Sequence, residues 1–223
     1  QGMGVMEALA AELQLAVPLM PWHTQRDSLA ELAGWLSLLS GSLAKMAQDV
    51  ILMAQSEVSE LNESADRSRG GSSTMPQKSN PIVSELIVAA ARANASLLSS
   101  MHQALIQEHE RATHGWQLEW LTLPQMVAHS ATALNKALLL SEQLVVDGEQ
   151  MRKNVEASHG LMLAEAISFA LTDKMDRSEA KRLIAEAVQI AMREKRHLVD
   201  VVREQVNVKI DWDNLRDEAN YLG

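Results

Sequence analysis

The sequence predicts an all-α protein, a bundle of long helices followed by a small helical domain, and three observations carry that prediction. Helix breakers are few: the prolines stand only at 18, 21, 76, 81 and 124 in 223 residues. Between those breaks, apolar residues recur at spacings of three and four. Hydrophobic residues make up 47% of the chain but aromatics only 3%, with 12 Met, so the core is built from Ala, Leu, Val, Ile and Met, which suits closely packed helices.

Each element follows from that punctuation. An opening helix is expected around Met3 to Ala16, broken by Pro18 and Pro21. Thr24 is placed to cap the next helix, with Asp27 in its first turn favoured by the helix dipole. No proline interrupts the chain from there to about Leu61, so that helix is expected to exceed ~50 Å at ~1.5 Å per residue. A second long helix starts after Pro81, where Ile82, Leu86, Ala90, Ala93, Leu97, Met101 and Ala104 trace one face, and is expected to reach about Thr113. A third runs from Trp116 to Val146, kinked or interrupted at Pro124. Small residues on further faces, Ala89, Ala91 and Ala95 among them, imply neighbours all round and hence a multi-chain bundle. After Asp147-Gly148 the segments shorten to Gln150–Glu156, Leu161–Lys174, Ser178–Arg196 and Leu198–Gln205, with Asp176 and Glu179 at capping-box spacing. The expected division is a bundle domain over 1–146 and a small helical domain over 147–223. Val206, Val208 and Ile210 alternate with polar residues but are too few to define a strand.

Composition excludes several functions. A net charge of −9 argues against nucleic acid or an anionic membrane as partner. The lack of cysteine removes disulfides, thiolate metal sites and cysteine nucleophiles, and fits a reducing cytoplasm. No uninterrupted apolar run has the ~18 residues of a membrane span. His109 and His114 are five apart, about 140° around a helix, so the two-histidine zinc geometry fails and no metal is expected.

The chemistry concentrates in the loop over 66–81. Gly70 and Gly71 permit positive φ and a nest of amides, Ser72, Ser73 and Thr74 offer hydroxyls, Lys78 a charge and Asn80 an amide. Pro81 opens a helix whose N-terminal dipole favours anions. Together these suit a substrate bearing a carboxylate; a phosphate loop would need a Gly-Lys-Ser/Thr ending that is missing.

The run Gly71-Ser72-Ser73-Thr74-Met75-Pro76-Gln77-Lys78-Ser79-Asn80-Pro81 closely resembles the signature of the fumarase/aspartase superfamily. The resemblance implies an all-α long-helix bundle, a homotetramer with shared active sites, and catalysis without cofactor. It makes Ser72 the base that removes a proton next to a carboxylate, Lys78 and Asn80 the holders of that carboxylate, and Glu85 the group that orients a histidine of another chain. Ser73, Thr74 and Met75 would line the substrate. Gln25-Arg26-Asp27 with Ala30-Glu31 resembles a second superfamily region and adds Gln25 and Arg26 to the site. A third, Glu108-His109-Glu110-Arg111, resembles adenylosuccinate lyases, but Trp116 and Trp120 stand where those carry a serine and an arginine for a nucleotide phosphate. The pattern of Arg111, Trp116 and Trp120 resembles the bacterial muconate cycloisomerases instead. That family implies a di- or tricarboxylate substrate, 3-carboxy-cis,cis-muconate, and a place in aromatic-acid breakdown; a fumarate-releasing lyase and a non-catalytic helical module are the alternatives. Family members also have an N-terminal portion upstream of anything here, so the chain resembles their latter half to two-thirds.

Overall fold

The computed structural model describes residues 2–64 and 80–221. Ser72, Ser73, Thr74, Met75 and Lys78 therefore lie outside the described residues. Two compact units, Gln1–Val146 and Asp147–Gly223, divide the chain.

The first unit begins with α1 (Gly2–Glu12), shorter than the expected Met3–Ala16. It closes with Gln14 at φ 54°, while Leu15 N–H donates to Ala10 O at 2.9 Å and Gln14 N–H to Ala11 O at 3.3 Å. That is the left-handed cap usually made with glycine. Helix α2 (Asp27–Met53) starts after Arg26 with no side-chain cap. Thr24, expected as that cap, instead donates its hydroxyl to His109 O at 2.9 Å. The helix is about 40 Å long, ending well before Leu61 because the chain turns through Ser59, at φ 54°, into β1 (Leu61–Asn62).

Helix α3 (Ile82–Gln103) stops ten residues short of Thr113, where the chain needs a reversal with His109 and Ala112 at positive φ. Helix α4 (His114–Gln143) runs through Pro124, which lacks the N–H that would reach Trp120 O. Gly115 suits the close approach there: a Cβ would stand 3.0 Å from Gln107 Cγ and 3.2 Å from Ala104 O, so a larger residue would press the start of α4 away from the end of α3 by a few tenths of an ångström. Residues 145–146 leave the helix as β2 (Val145–Val146), antiparallel to β1, pairing Leu61 with Val146 and Asn62 with Val145.

Helices α2, α3 and α4 pack on one another. Ala33, Leu36, Met101 and Met126 form their core, with Leu29, Leu97, Leu98 and Leu123 packed against it. At its centre sits a polar contact. Asn94 Nδ2, fully buried on α3, donates to Ser40 Oγ of α2 at 3.1 Å and Ser130 Oγ of α4 at 2.9 Å. Both serines donate onward to Leu36 O, at 2.9 and 3.4 Å. By length and composition α3 could cross a membrane, but its buried face packs on α2 and α4 as a core helix does.

The second unit contains α5 (Gly148–Ala157), a 3₁₀ turn at Leu161–Leu163, α6 (Ala164–Thr172), α7 (Arg177–Glu194), α8 (Leu198–Gln205), α9 (Trp212–Arg216) and a 3₁₀ turn at Glu218–Tyr221. Its caps are legible residues: Asp147 accepts from Gln150 N at 2.9 Å, Asp176 from Ser178 N at 2.8 Å and Asp211 from Asn214 N at 3.1 Å. Ile167, Leu171, Ala180, Ala187, Ala191 and Leu198 are completely buried in its core. Residues 206–210, with their alternating apolar side chains, form no strand.

His197 packs closely on Gly160. Gly160, at φ 71°, lies so close that a Cβ would fall 2.4 Å from the imidazole, and His197 Nδ1 caps α8 by accepting from Val199 N at 3.3 Å. Burial, then Arg216, holds the ring below its ordinary value of 6.5; His159 acts the same way, against Asp200 and Glu218. Its folded form stays neutral while the unfolded chain takes up the proton, so this contribution is complete above about pH 6.5 and declines as pH falls below it. Thermal denaturation at about pH 7.5 and 5.5 should show a lower midpoint in acid, and His197→Asn, a non-titrating cap, should reduce that difference.

Candidate active site

The expected site residues gather in two places in the first unit. At one end of the bundle, the reversal over 104–113, the turn over 18–26 and the first turns of α4 come together. Arg26 engages Glu119, donating through Nε at 2.8 Å and through Nη2 in a shorter contact, while Nη1 donates to His23 O at 3.2 Å. The side chains are 16% and 6% exposed. The hydrogen bond to Glu119 is the main cause that holds the guanidinium above its ordinary pKa. Arg26 is thus committed to joining α2 to α4, although the resemblance implies that it touches substrate.

Arg111 differs. It is exposed, with no acidic partner among the described residues, on the wall of an open cleft of about 790 Å³ shared with Pro21, His23, Glu110, Ala112 and Trp116. The His23 ring meets Trp116 edge-on at 4.9 Å, and Trp116 lies 4.5 Å from Trp120, tilted by 53°. Trp116 is half-buried and Trp120 is 59% exposed, so neither is a core residue of this chain. Gln25 is exposed on the turn closed by its N–H to Trp22 O at 3.0 Å. A cation beside two indoles and an imidazole can take a flat, unsaturated anion: the guanidinium binds a carboxylate and the rings cover apolar carbon. His109 sits in the reversal at φ 50°, and His114 Nε2 lies 3.0 Å from Glu108, so the pair does not share a helix face.

The second place is the start of α3, with Asn80 half-buried and Glu85 exposed in the first turn. The dipole at this helix start favours an anion, and the structure shows a carboxylate of the chain itself on two of its amides. Val83 N–H donates to Glu63 Oε2 at 3.0 Å and Ser84 N–H to Glu63 Oε1 at 2.6 Å. Ile82 N–H donates to Asn80 O at 2.9 Å, and Glu85 N–H to Pro81 O at 3.0 Å. The helix dipole draws an anion, but the anion is the chain's own carboxylate.

Within one chain these two places do not meet. They sit at opposite ends of α3, whose 22 residues span roughly 33 Å. Sequence reasoning gives no role to Glu63 or Glu119 and leaves His23 out of the site. The contacts of Glu63 and Glu119 span 20 or more positions, a separation that no local pattern announces.

The comparisons with known proteins agree with this architecture. Residues 3–95 match the family described as lyase, and residues 160–223 match the adenylosuccinate lyase C-terminus. The 3-carboxy-cis,cis-muconate cycloisomerase of Pseudomonas aeruginosa is 44% identical, over all of this chain and 50% of its own length. The crystal structure of the 3-carboxy-cis,cis-muconate lactonizing enzyme from Pseudomonas putida superimposes with a TM-score of 0.85 at 41% identity, covering 99% of this chain and 50% of that one. A fumarate lyase structure from Mesorhizobium follows at TM-score 0.83 and 35% identity, covering 100% and 50%. Over its whole length this chain is similar to enzymes of the fumarase/aspartase superfamily. Its similarity is to the muconate cycloisomerases within it, and the chain spans about half the length of these relatives.

The Arg26–Glu119 pair gives a direct stability test. Glu119→Ala strands a largely buried guanidinium and should cost about 2–3 kcal/mol, somewhat below a fully buried pair because Arg26 keeps some water contact. Arg26→Met combined with Glu119→Leu should be closer to wild type than either single loss in urea denaturation; purely additive costs would show that the pair is not coupled.

Proposed function

We propose that the protein interconverts 3-carboxy-cis,cis-muconate and carboxymuconolactone, acting as a homotetramer whose sites are shared between chains. The observation that carries this reading is the cleft around Arg111, Trp116 and His23, a cation set among rings, in a chain 44% identical to a cycloisomerase of that name. The Trp120 position, which would need a cation to hold a nucleotide phosphate, carries an indole instead.

In the lactone-opening direction, Ser72 takes the proton from the carbon next to a carboxylate. The electron pair moves into that carboxylate, forming a dianion held by Lys78 and Asn80. Collapse of the dianion forms the alkene and expels the ring carboxylate oxygen, so no fragment leaves. Lactonisation is the reverse. A serine hydroxyl is a weak base, so the Lys78 charge and nearby amides must favour its alkoxide. Arg111 pairs with another carboxylate of the substrate.

Distance supports sharing between chains. Asn80 and Glu85 lie at the far end of α3 from Arg111, too far apart for one small substrate. The apolar faces support a second copy as well: Trp35 is 57% exposed, Leu38 73% and Leu121 68%, along the long helices. A fumarate-releasing lyase is the second reading, favoured by the match to the Mesorhizobium fumarate lyase and the adenylosuccinate lyase C-terminus.

The test is a substrate panel on the full-length protein. Lactone formation from 3-carboxymuconate, reduced by roughly 10³-fold or more in Ser72→Ala with tetrameric mass retained, is the expected outcome. Fumarate release from a succinyl substrate without muconate turnover would establish the second reading, and an inactive tetramer would indicate a non-catalytic module.

A further inference from the structure

We propose that Glu63 is a positioning residue for this reaction, its carboxylate clamping the start of α3 so that Asn80 and Glu85 stand where the chemistry needs them. This inference rests on the functional reading above, which gives Asn80 and Glu85 their roles.

A helix of this length leaves its first amides without internal partners, and a local side chain usually caps them. Pro81 at the cap position has no such side chain. The task passes to a residue 20 positions earlier: Glu63 takes the amides of Val83 and Ser84 with its two carboxylate oxygens, at 3.0 and 2.6 Å. The two clamped amides lie between the functional residues. Asn80 is bound to the same turn through its carbonyl, which accepts from Ile82 N at 2.9 Å, and Glu85 follows Ser84 directly.

Glu63 is itself held. Leu61 and Asn62, immediately before it, pair with Val146 and Val145, and Asn62 Oδ1 accepts from Ser64 N at 3.4 Å. Its side chain lies with Val83, Leu139 and Leu140 around a cavity of about 10 Å³, room for one water at most. The end of α4 thus sets β2, β2 sets β1, and β1 sets the carboxylate that sets α3. An unclamped first turn would fray, and displacement by about 1 Å is enough to slow a positioned reaction by about 10²-fold.

The test uses full-length protein with Glu63→Gln, which keeps the shape but loses one acceptor oxygen and the charge, and Glu63→Ala. Measured quantities are kcat and KM for 3-carboxymuconate, the melting midpoint, and amide exchange over 82–85. The expected result is a fall in kcat of about 10-fold for Gln and more for Ala, with a smaller change in KM, a nearly unchanged melting midpoint and faster exchange at Val83 and Ser84. Unchanged kcat in both variants of an active enzyme would overturn the proposal, as would a loss of activity that only tracks a loss of folded protein. Unchanged exchange would overturn the clamp itself. A wild-type protein inactive on the muconate, with its slow exchange intact, would overturn the functional reading and leave Glu63 no such reaction to serve.

Discussion

Three long helices can lie side by side in many registers, and the amide of Asn94 selects one. Its two donors reach Ser40 and Ser130 on the neighbouring helices, and both serines turn to the carbonyl of Leu36. In an interior of Ala, Leu and Met, sliding one helix by a turn costs little packing but would leave buried polar groups unpaired, which is expensive. The contact therefore fixes register more than it adds stability. Ala33, Ala47 and Ala133, all fully buried, allow the close approach that makes it possible.

Register determines what meets at each end. At one end the Arg26–Glu119 pair and the Thr24–His109 bond join the start of α2 to the reversal before α4, which carries Arg111 and the tryptophans. At the other, β1 and β2 bring Glu63 onto the start of α3. The bundle is a packed spacer with a different half of the proposed chemistry at each end. A substrate a few ångströms across cannot bridge it, which favours the proposed sharing of sites between copies of the chain.

The helical class was legible because prolines are few and the apolar period is sustained. Helix α8 and the cap at Asp176 were read correctly from local signals. Helix ends were read too long wherever tertiary contacts stopped the helix: α2 gives way to the strand pairing at Leu61, and α3 to the reversal in which Thr24 bonds His109. In the candidate site, Arg111, Asn80 and Glu85 are proposed from the resemblance of their motifs, and the structure places Arg111 on an open cleft and the other two at the start of α3. The commitment of Arg26 to Glu119 and the occupation of the α3 amides by Glu63 were not legible. Both depend on partners distant in sequence, and an arginine or glutamate looks the same there whether it faces solvent, substrate or a buried partner.

The proposed reaction is proton transfer beside a carboxylate without release of a fragment. It is tested most directly by running the full-length protein on 3-carboxy-cis,cis-muconate in deuterium oxide and reading the product by proton NMR. The expected product is a lactone with one deuterium on the carbon next to the carboxylate, placed on a single face. A lactone without deuterium at that carbon, or fumarate appearing in place of lactone, would contradict it.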